Sequence, residues 1–273
     1  MAVYSKERMT RRVKWFFALP LTYVIYFALS LLIPGAGLFS VVLTSLVLTL
    51  AFSLVSKFLL NFPLRSFIRQ EGYFSWPLFF TGLLVMAALC AGSTFLLMVL
   101  NPQMYVYSLR PETVVRDWLV SISVVLTAAF AEELLFRAYV AFFPSDSLEK
   151  DSSKFWKYCL ASGILFALAH FQNPEVNGMS AIWFMSFYFT LGCFLMYFYM
   201  KSGGIEFSLG VHVGNNLIPA LFFSYPSAVI KTNTVFMDKS PVNHVQLIQA
   251  LVCLCVCTAV FNPVLKKNLS GRD

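Results

Sequence analysis

Charge is scarce in this chain: only 12% of its 273 residues are Asp, Glu, Lys or Arg, against about a quarter in ordinary soluble domains. Hydrophobic residues make up 59%, and the mean hydropathy is +0.73. That balance excludes a water-soluble globular domain and points to lipid as the solvent. A Lys/Arg-rich run interleaved with aromatics in a polar stretch is also missing. The net charge of +7 therefore predicts no nucleic-acid partner. The six cysteines, Cys90, Cys159, Cys193, Cys253, Cys255 and Cys257, all sit in apolar stretches, which excludes a secreted disulfide framework. There is no His-Glu-x-x-His pair, no prenylation box at the C-terminus, no internal repeat and no low-complexity tract.

What is present is a series of long apolar segments. Eight can be marked, roughly 15–33, 38–60, 77–100, 119–144, 155–172, 180–200, 205–223 and 245–265. The separators carry breakers such as Pro34-Gly35-Ala36-Gly37, Asn61-Phe62-Pro63 and Lys201-Ser202-Gly203-Gly204. The run from Trp15 to Ile33 is too long for a signal-peptide core and reads as the first retained span. Basic residues test the count. With the N-terminus in the cytoplasm, the far side receives only Arg110, Arg116, Lys231 and Lys239. The cytoplasmic side takes the other sixteen of the twenty Lys and Arg. The expected fold class is therefore all-α, a polytopic transmembrane helical bundle of about eight spans. Residues 1–273 form a single transmembrane domain in this reading, with 1–14 a basic cytoplasmic N-terminus and both termini cytoplasmic. The outer loop from Tyr225 to His244 reads as a solvated connector, with His244 interfacial.

Ionisable residues inside the spans are the guide to function, because a charge at mid-bilayer costs ~2.5–3.5 kcal/mol on insertion scales. The fourth span contains Ala131-Glu132-Glu133-Leu134-Leu135-Phe136-Arg137. Glu133 and Arg137 are four apart and share a helix face, whereas Glu132 is rotated about 100° from Glu133 and lacks that partner. The fifth span ends Phe166-Ala167-Leu168-Ala169-His170, and the seventh holds His212 and Asn216 four apart. Each fragment alone has a structural reading: a buried charge pair beside a protonated glutamate, an interfacial histidine, a helix-linking hydrogen bond. Together, Glu, two His and an amide are what amide hydrolysis needs. A carboxylate takes a proton from water, a histidine orients that water, and donors stabilise the oxyanion. Glu132, His170 and His212 alternatively offer a two-histidine, one-carboxylate zinc site, so zinc stays open as a cofactor.

These segments resemble the membrane-embedded CAAX-protease and bacteriocin-processing family, also called the Abi family. Its pattern is E-E-x-x-x-R, then F-x-x-x-H, then H-x-x-x-N or H-x-x-x-D on successive apolar helices. Here it stands as Glu132-Glu133…Arg137, Phe166…His170 and His212…Asn216, within a motif-bearing core at 119–223. The resemblance implies an intramembrane endopeptidase acting on a peptide or lipidated protein. It makes Glu132 the base that activates water, helped by His170, with His212 and Asn216 stabilising the oxyanion. Glu133 and Arg137 would hold the helix in place. The rival readings are a non-catalytic immunity or peptide-binding protein of the same fold, and a proton-coupled transporter. One tension remains in this reading. His170 falls at the outer end of its span and His212 nearer the cytoplasmic end of another, yet the two must meet. Either the fifth helix starts late after the polar stretch Ser145–Ser153, or the segment Gln172–Gly178 is buried against protein.

Overall fold

A computed structural model describes residues 2–35, 37–70, 73–142, 152–176, 181–239 and 244–270. The apolar runs become helices because in hydrocarbon the backbone has no water to bond and must satisfy itself. The first two helices are α1 (Ala2–Ser30) and α2 (Leu38–Val55). Between them Gly35 and Gly37 take φ values of 86° and 133°, which side chains other than hydrogen resist. A π-helical turn, Ser56–Leu60, extends α2 until Asn61 stops it in the left-handed conformation at φ 54°. The Phe62 amide then donates to the Ser56 carbonyl, and Pro63 bars any continuation.

A short helix, α3 (Leu64–Ile68), precedes α4 (Trp76–Leu100) and strand β1 (Tyr105–Tyr107). Helix α5 (Val114–Glu133) runs directly into a π-helical turn, Leu134–Tyr139, and a last short piece, α6 (Val140–Phe142). Next come α7 (Ser152–Ala169), α8 (Ala181–Ser202) and α9 (Glu206–Leu221). Strands β2 (Phe223–Ser224) and β3 (Phe236–Asp238) lead to α10 (His244–Ser270). Among the described residues, six helical stretches are long and apolar enough to cross a bilayer. The two further apolar segments expected from sequence are shorter, Phe155–Ala169 and the 16 residues of α9. The chain is thus a multi-pass integral membrane protein built as a helical bundle. Phe16, Val24 and Phe27 on α1 and Leu160, Ile164 and Leu168 on α7 remain exposed on its flanks, where lipid rather than water would meet them.

Helix α9 lies at the centre of the bundle. Every residue from Glu206 to Gly214 is buried. It seats against α4 through Gly210, where an added Cβ would stand 2.1 Å from the Phe79 carbonyl oxygen. A side chain there would force the two helices apart. At one end of α9, Glu206 accepts from the Arg69 guanidinium at 2.7 Å and from the Ser75 amide at 3.0 Å. This ties the chain after α3 to the α8–α9 turn. Trp15 anchors α1 beneath the π-helical turn of α5, because the Tyr139 hydroxyl donates to the Trp15 carbonyl and the two rings pack 5.6 Å apart.

The opposite end of the bundle carries a feature the sequence reading did not anticipate. Residues in the outer loop are not a free connector: β3 pairs antiparallel with β1 and parallel with β2, in the order β1-β3-β2. Asn233 and Thr234 are buried beneath it, and Asn233 bonds the backbone of Arg110 in both directions at 2.8 Å. The Asn233 side chain and the Thr234 carbonyl, which accepts from the Ser108 hydroxyl at 2.9 Å, bridge two loops that are more than a hundred positions apart. The last part of this loop, 240–243, lies outside the described residues. His244 begins α10 at an exposed position, 5.9 Å from the Trp183 ring.

Candidate active site

The residues singled out in three separate spans come together in one place. Glu132 and Glu133 close the regular part of α5, and the π-helical turn begins at the next residue. Such turns are frequent at functional sites, because the added residue shifts side chains around the axis. The two glutamates face different surroundings. Glu133 is fully buried, with Arg137 Nη2 3.1 Å from its Oε1 and His212 Nδ1 2.9 Å from the same oxygen. Glu132 is 26% exposed, and its Oε2 stands 3.5 Å from His212 Nε2 and 3.9 Å from His170 Nε2.

Phe166 explains why an aromatic stands four residues before His170. Its backbone oxygen lies 2.7 Å from His170 Nδ1, so that nitrogen donates and leaves Nε2 for Glu132. Its ring is 4.5 Å from the Arg137 guanidinium and packs against both imidazoles, at 4.3 Å from His170 and 5.7 Å from His212. A cation over an aromatic face is stabilised further when desolvated, and Arg137 is entirely buried. Arg137 also donates to the Ser162 hydroxyl at 3.4 Å, which passes a bond to the Gly192 carbonyl at 3.2 Å. The guanidinium therefore links α5, α7 and α8.

The tension between His170 and His212 is resolved in the turn after α7. The polar stretch from Ser145 lies outside the described residues as far as 151, and α7 begins at Ser152, so a late start is not the answer. The chain after Ala169 makes a turn in which the Asn173 amide bonds the His170 carbonyl at 3.0 Å. Only Glu175 is buried among 171–176, and Phe171, Gln172 and Pro174 are exposed. Residues 177–180 lie outside the described residues.

All four candidate catalytic residues line one cavity of about 340 Å³, within the range of ligand sites. Asn216 and Asn215 sit on its wall beyond His212, and Asn215 Nδ2 donates to Asn216 Oδ1 at 2.9 Å. That bond occupies the Asn216 acceptor and leaves its amide hydrogens as donors. Sequence reasoning missed Tyr188, which stacks on His170 at 4.3 Å with 27° between the planes. In a chain with 17% aromatic residues, nothing in the pattern separates this tyrosine from its neighbours. It also missed the second role of Glu133, as partner of His212, which links residues 79 positions apart. As for zinc, among the described residues no three His, Cys, Asp or Glu side chains are grouped to hold a metal ion. Both imidazoles of the candidate set approach a single carboxylate oxygen.

Comparison with known proteins bears on the same segment. Residues 114–218 match the family model described as type II CAAX prenyl endopeptidase Rce1-like. That segment, well under half of the chain, is what is similar to the Rce1-like family. The matched segment takes in Glu132, Glu133, Arg137, Phe166, His170, His212 and Asn216. The uncharacterized protein YyaK of Bacillus subtilis is 28% identical over 179 residues, which cover 64% of this chain and 58% of YyaK. The chain thus spans little more than half the length of that relative. No solved structure matches it.

Proposed function

We propose that the protein is an intramembrane endopeptidase in which Glu132 activates water against a peptide bond of a membrane-associated or lipidated substrate. The observation that carries this reading is the position of Glu132: a cavity-facing carboxylate with two imidazole Nε2 atoms around one of its oxygens. The match of residues 114–218 to the type II CAAX prenyl endopeptidase Rce1-like model supports the reaction class.

The tautomers suit the roles. His170 gives its Nδ1–H to the Phe166 carbonyl, so its Nε2 accepts. A water between the two groups gives one hydrogen to Glu132 Oε2 and one to His170 Nε2, which aims its oxygen lone pair at the scissile carbonyl carbon. Glu132 takes the proton as the C–O bond forms. The oxyanion is met by the Asn216 amide and by His212 Nε2, which donates when both ring nitrogens carry hydrogen. Glu133, on Nδ1 at 2.9 Å, compensates the charge of that ring. Glu132 then passes its proton to the departing nitrogen, the C–N bond breaks, and a carboxyl and an amine are released. We further propose that residues 1–273 act as one unit with both termini cytoplasmic, supported by the sixteen-to-four distribution of basic residues.

The test is proteolysis of a membrane-peptide library by the purified chain, beside Glu132→Ala and beside wild type with a zinc chelator. Cleavage lost in the variant and kept with chelator supports the metal-free reading. Loss with chelator would move the chemistry to a metal. No cleavage by wild type would favour a non-catalytic, peptide-binding role.

A further inference from the structure

One more buried carboxylate lines the cavity and takes no part in the chemistry above. Glu175 lies five residues after His170 and is 5% exposed. The Tyr225 hydroxyl, just after β2, donates to its Oε2 at 2.6 Å. The Val229 amide and the Asn173 side chain also bond to it. Burial pushes this carboxyl above its ordinary range, and the three donors work against that shift.

From Glu175 a chain of contacts leads to His170. Asn173 Nδ2 donates to the Tyr188 hydroxyl at 3.1 Å, and the Tyr188 ring stacks on the His170 imidazole at 4.3 Å. The Asn173 amide bonds the His170 carbonyl at 3.0 Å. The last turn of α7 holds His170 through the Phe166 and Ala167 carbonyls. The helix ends at Ala169, so the other side of the imidazole rests on Tyr188 and the turn that follows. Tyr225 belongs to the segment joining β2 to β3, so the same carboxylate fastens the His170 turn to the sheet-capped end.

We propose that Glu175 is a positioning residue: it pins the turn after His170 to the Tyr225–Val229 segment and so fixes the His170 imidazole beside Glu132. The inference rests on the reading of His170 as the residue that orients water. A carboxylate suits the post because it accepts all three donors, whereas a glutamine amide would turn a donor toward one of them. Displacing a catalytic group by about 1 Å can cost on the order of a hundredfold in rate. The effect belongs in kcat, because misplacing the His170 imidazole acts on the chemical step.

The experiment has two arms, each run on wild type, Glu175→Ala, Glu175→Gln and Tyr225→Phe in detergent. The first measures kcat and KM for peptide cleavage. The expected result is a roughly ten- to hundredfold fall in kcat for Glu175→Ala with KM within about twofold, and smaller falls for Glu175→Gln and Tyr225→Phe. The second arm records histidine-selective NMR, which is tractable because the chain has three histidines, His170, His212 and His244. The His170 signal should shift or broaden in Glu175→Ala while His212, held by Glu133, stays in place. An unmoved His170, or all three signals moving together in the mild Tyr225→Phe variant, would overturn the proposal. The two readings fail separately. Wild type without cleavage sinks the protease while the NMR arm still decides positioning. Cleavage that depends on Glu132 but is indifferent to Glu175 sinks positioning alone.

Discussion

Glu132 and Glu133 are neighbours in the chain and opposites in environment. On one side of α5 lies a dry cluster in which Glu133, Arg137 and His212 are almost wholly enclosed and Phe166 covers the guanidinium. On the other lies a cavity into which Glu132 shows about a quarter of its side chain, with imidazoles beside it and, among the described residues, no Lys or Arg in the cavity wall. A buried carboxylate held by a cation and a histidine is locked in one geometry. A carboxylate that meets only neutral or switchable partners, in a space large enough for a peptide, is free to exchange a proton. In the proposed mechanism the same residue type serves structure on one face and chemistry on the other, and a single step of 100° along the helix separates them.

This division can be broken at four points. The largest effect falls on the cavity side: Glu132→Gln should reduce cleavage by ~10²–10⁴-fold in a protein that still elutes as a folded species in detergent. On the dry side, Glu133→Gln leaves Arg137 enclosed without its counter-charge. Breaking such a pair costs ~3–5 kcal/mol, visible as a lower unfolding temperature before any assay of activity. Asn216→Ala removes an oxyanion donor and should lower kcat by ~10²–10³-fold with little change in KM or in thermal stability. Ser162→Ala is the mildest, about 1 kcal/mol, because Arg137 loses one long hydrogen bond of 3.4 Å but keeps Glu133. An effect of Ser162→Ala on cleavage larger than that of Asn216→Ala would blur the boundary between the two sides.

Much of this was legible in the sequence wherever the relevant partners share a helix. The spacing of Glu133 with Arg137 and of His212 with Asn216 is fixed by helical geometry. The apolar runs marked most helix ends to within about five residues, the exception being α1, which begins at Ala2 rather than near Trp15. Contacts between helices were not legible. The approach of His212 to Glu133 depends on α9 seating against α4 at Gly210, a closeness set by the absence of a side chain rather than by any motif. The sheet was hidden for a related reason. Its strands are two or three residues long, too short for alternation to register, and β1 lies more than a hundred residues from its partner β3. Glu175 lies in the segment Gln172–Gly178, whose burial is one expectation from sequence, but nothing in the pattern singles out the acid or points to Tyr225 as its partner.

The most direct test of the central claim is thermal unfolding and cleavage measured side by side for Glu132→Gln and Glu133→Gln in the same detergent. The account predicts that Glu132→Gln unfolds with the wild type and does not cleave, while Glu133→Gln unfolds at a distinctly lower temperature. Wild-type cleavage by Glu132→Gln, or equal destabilisation by both substitutions, would contradict it.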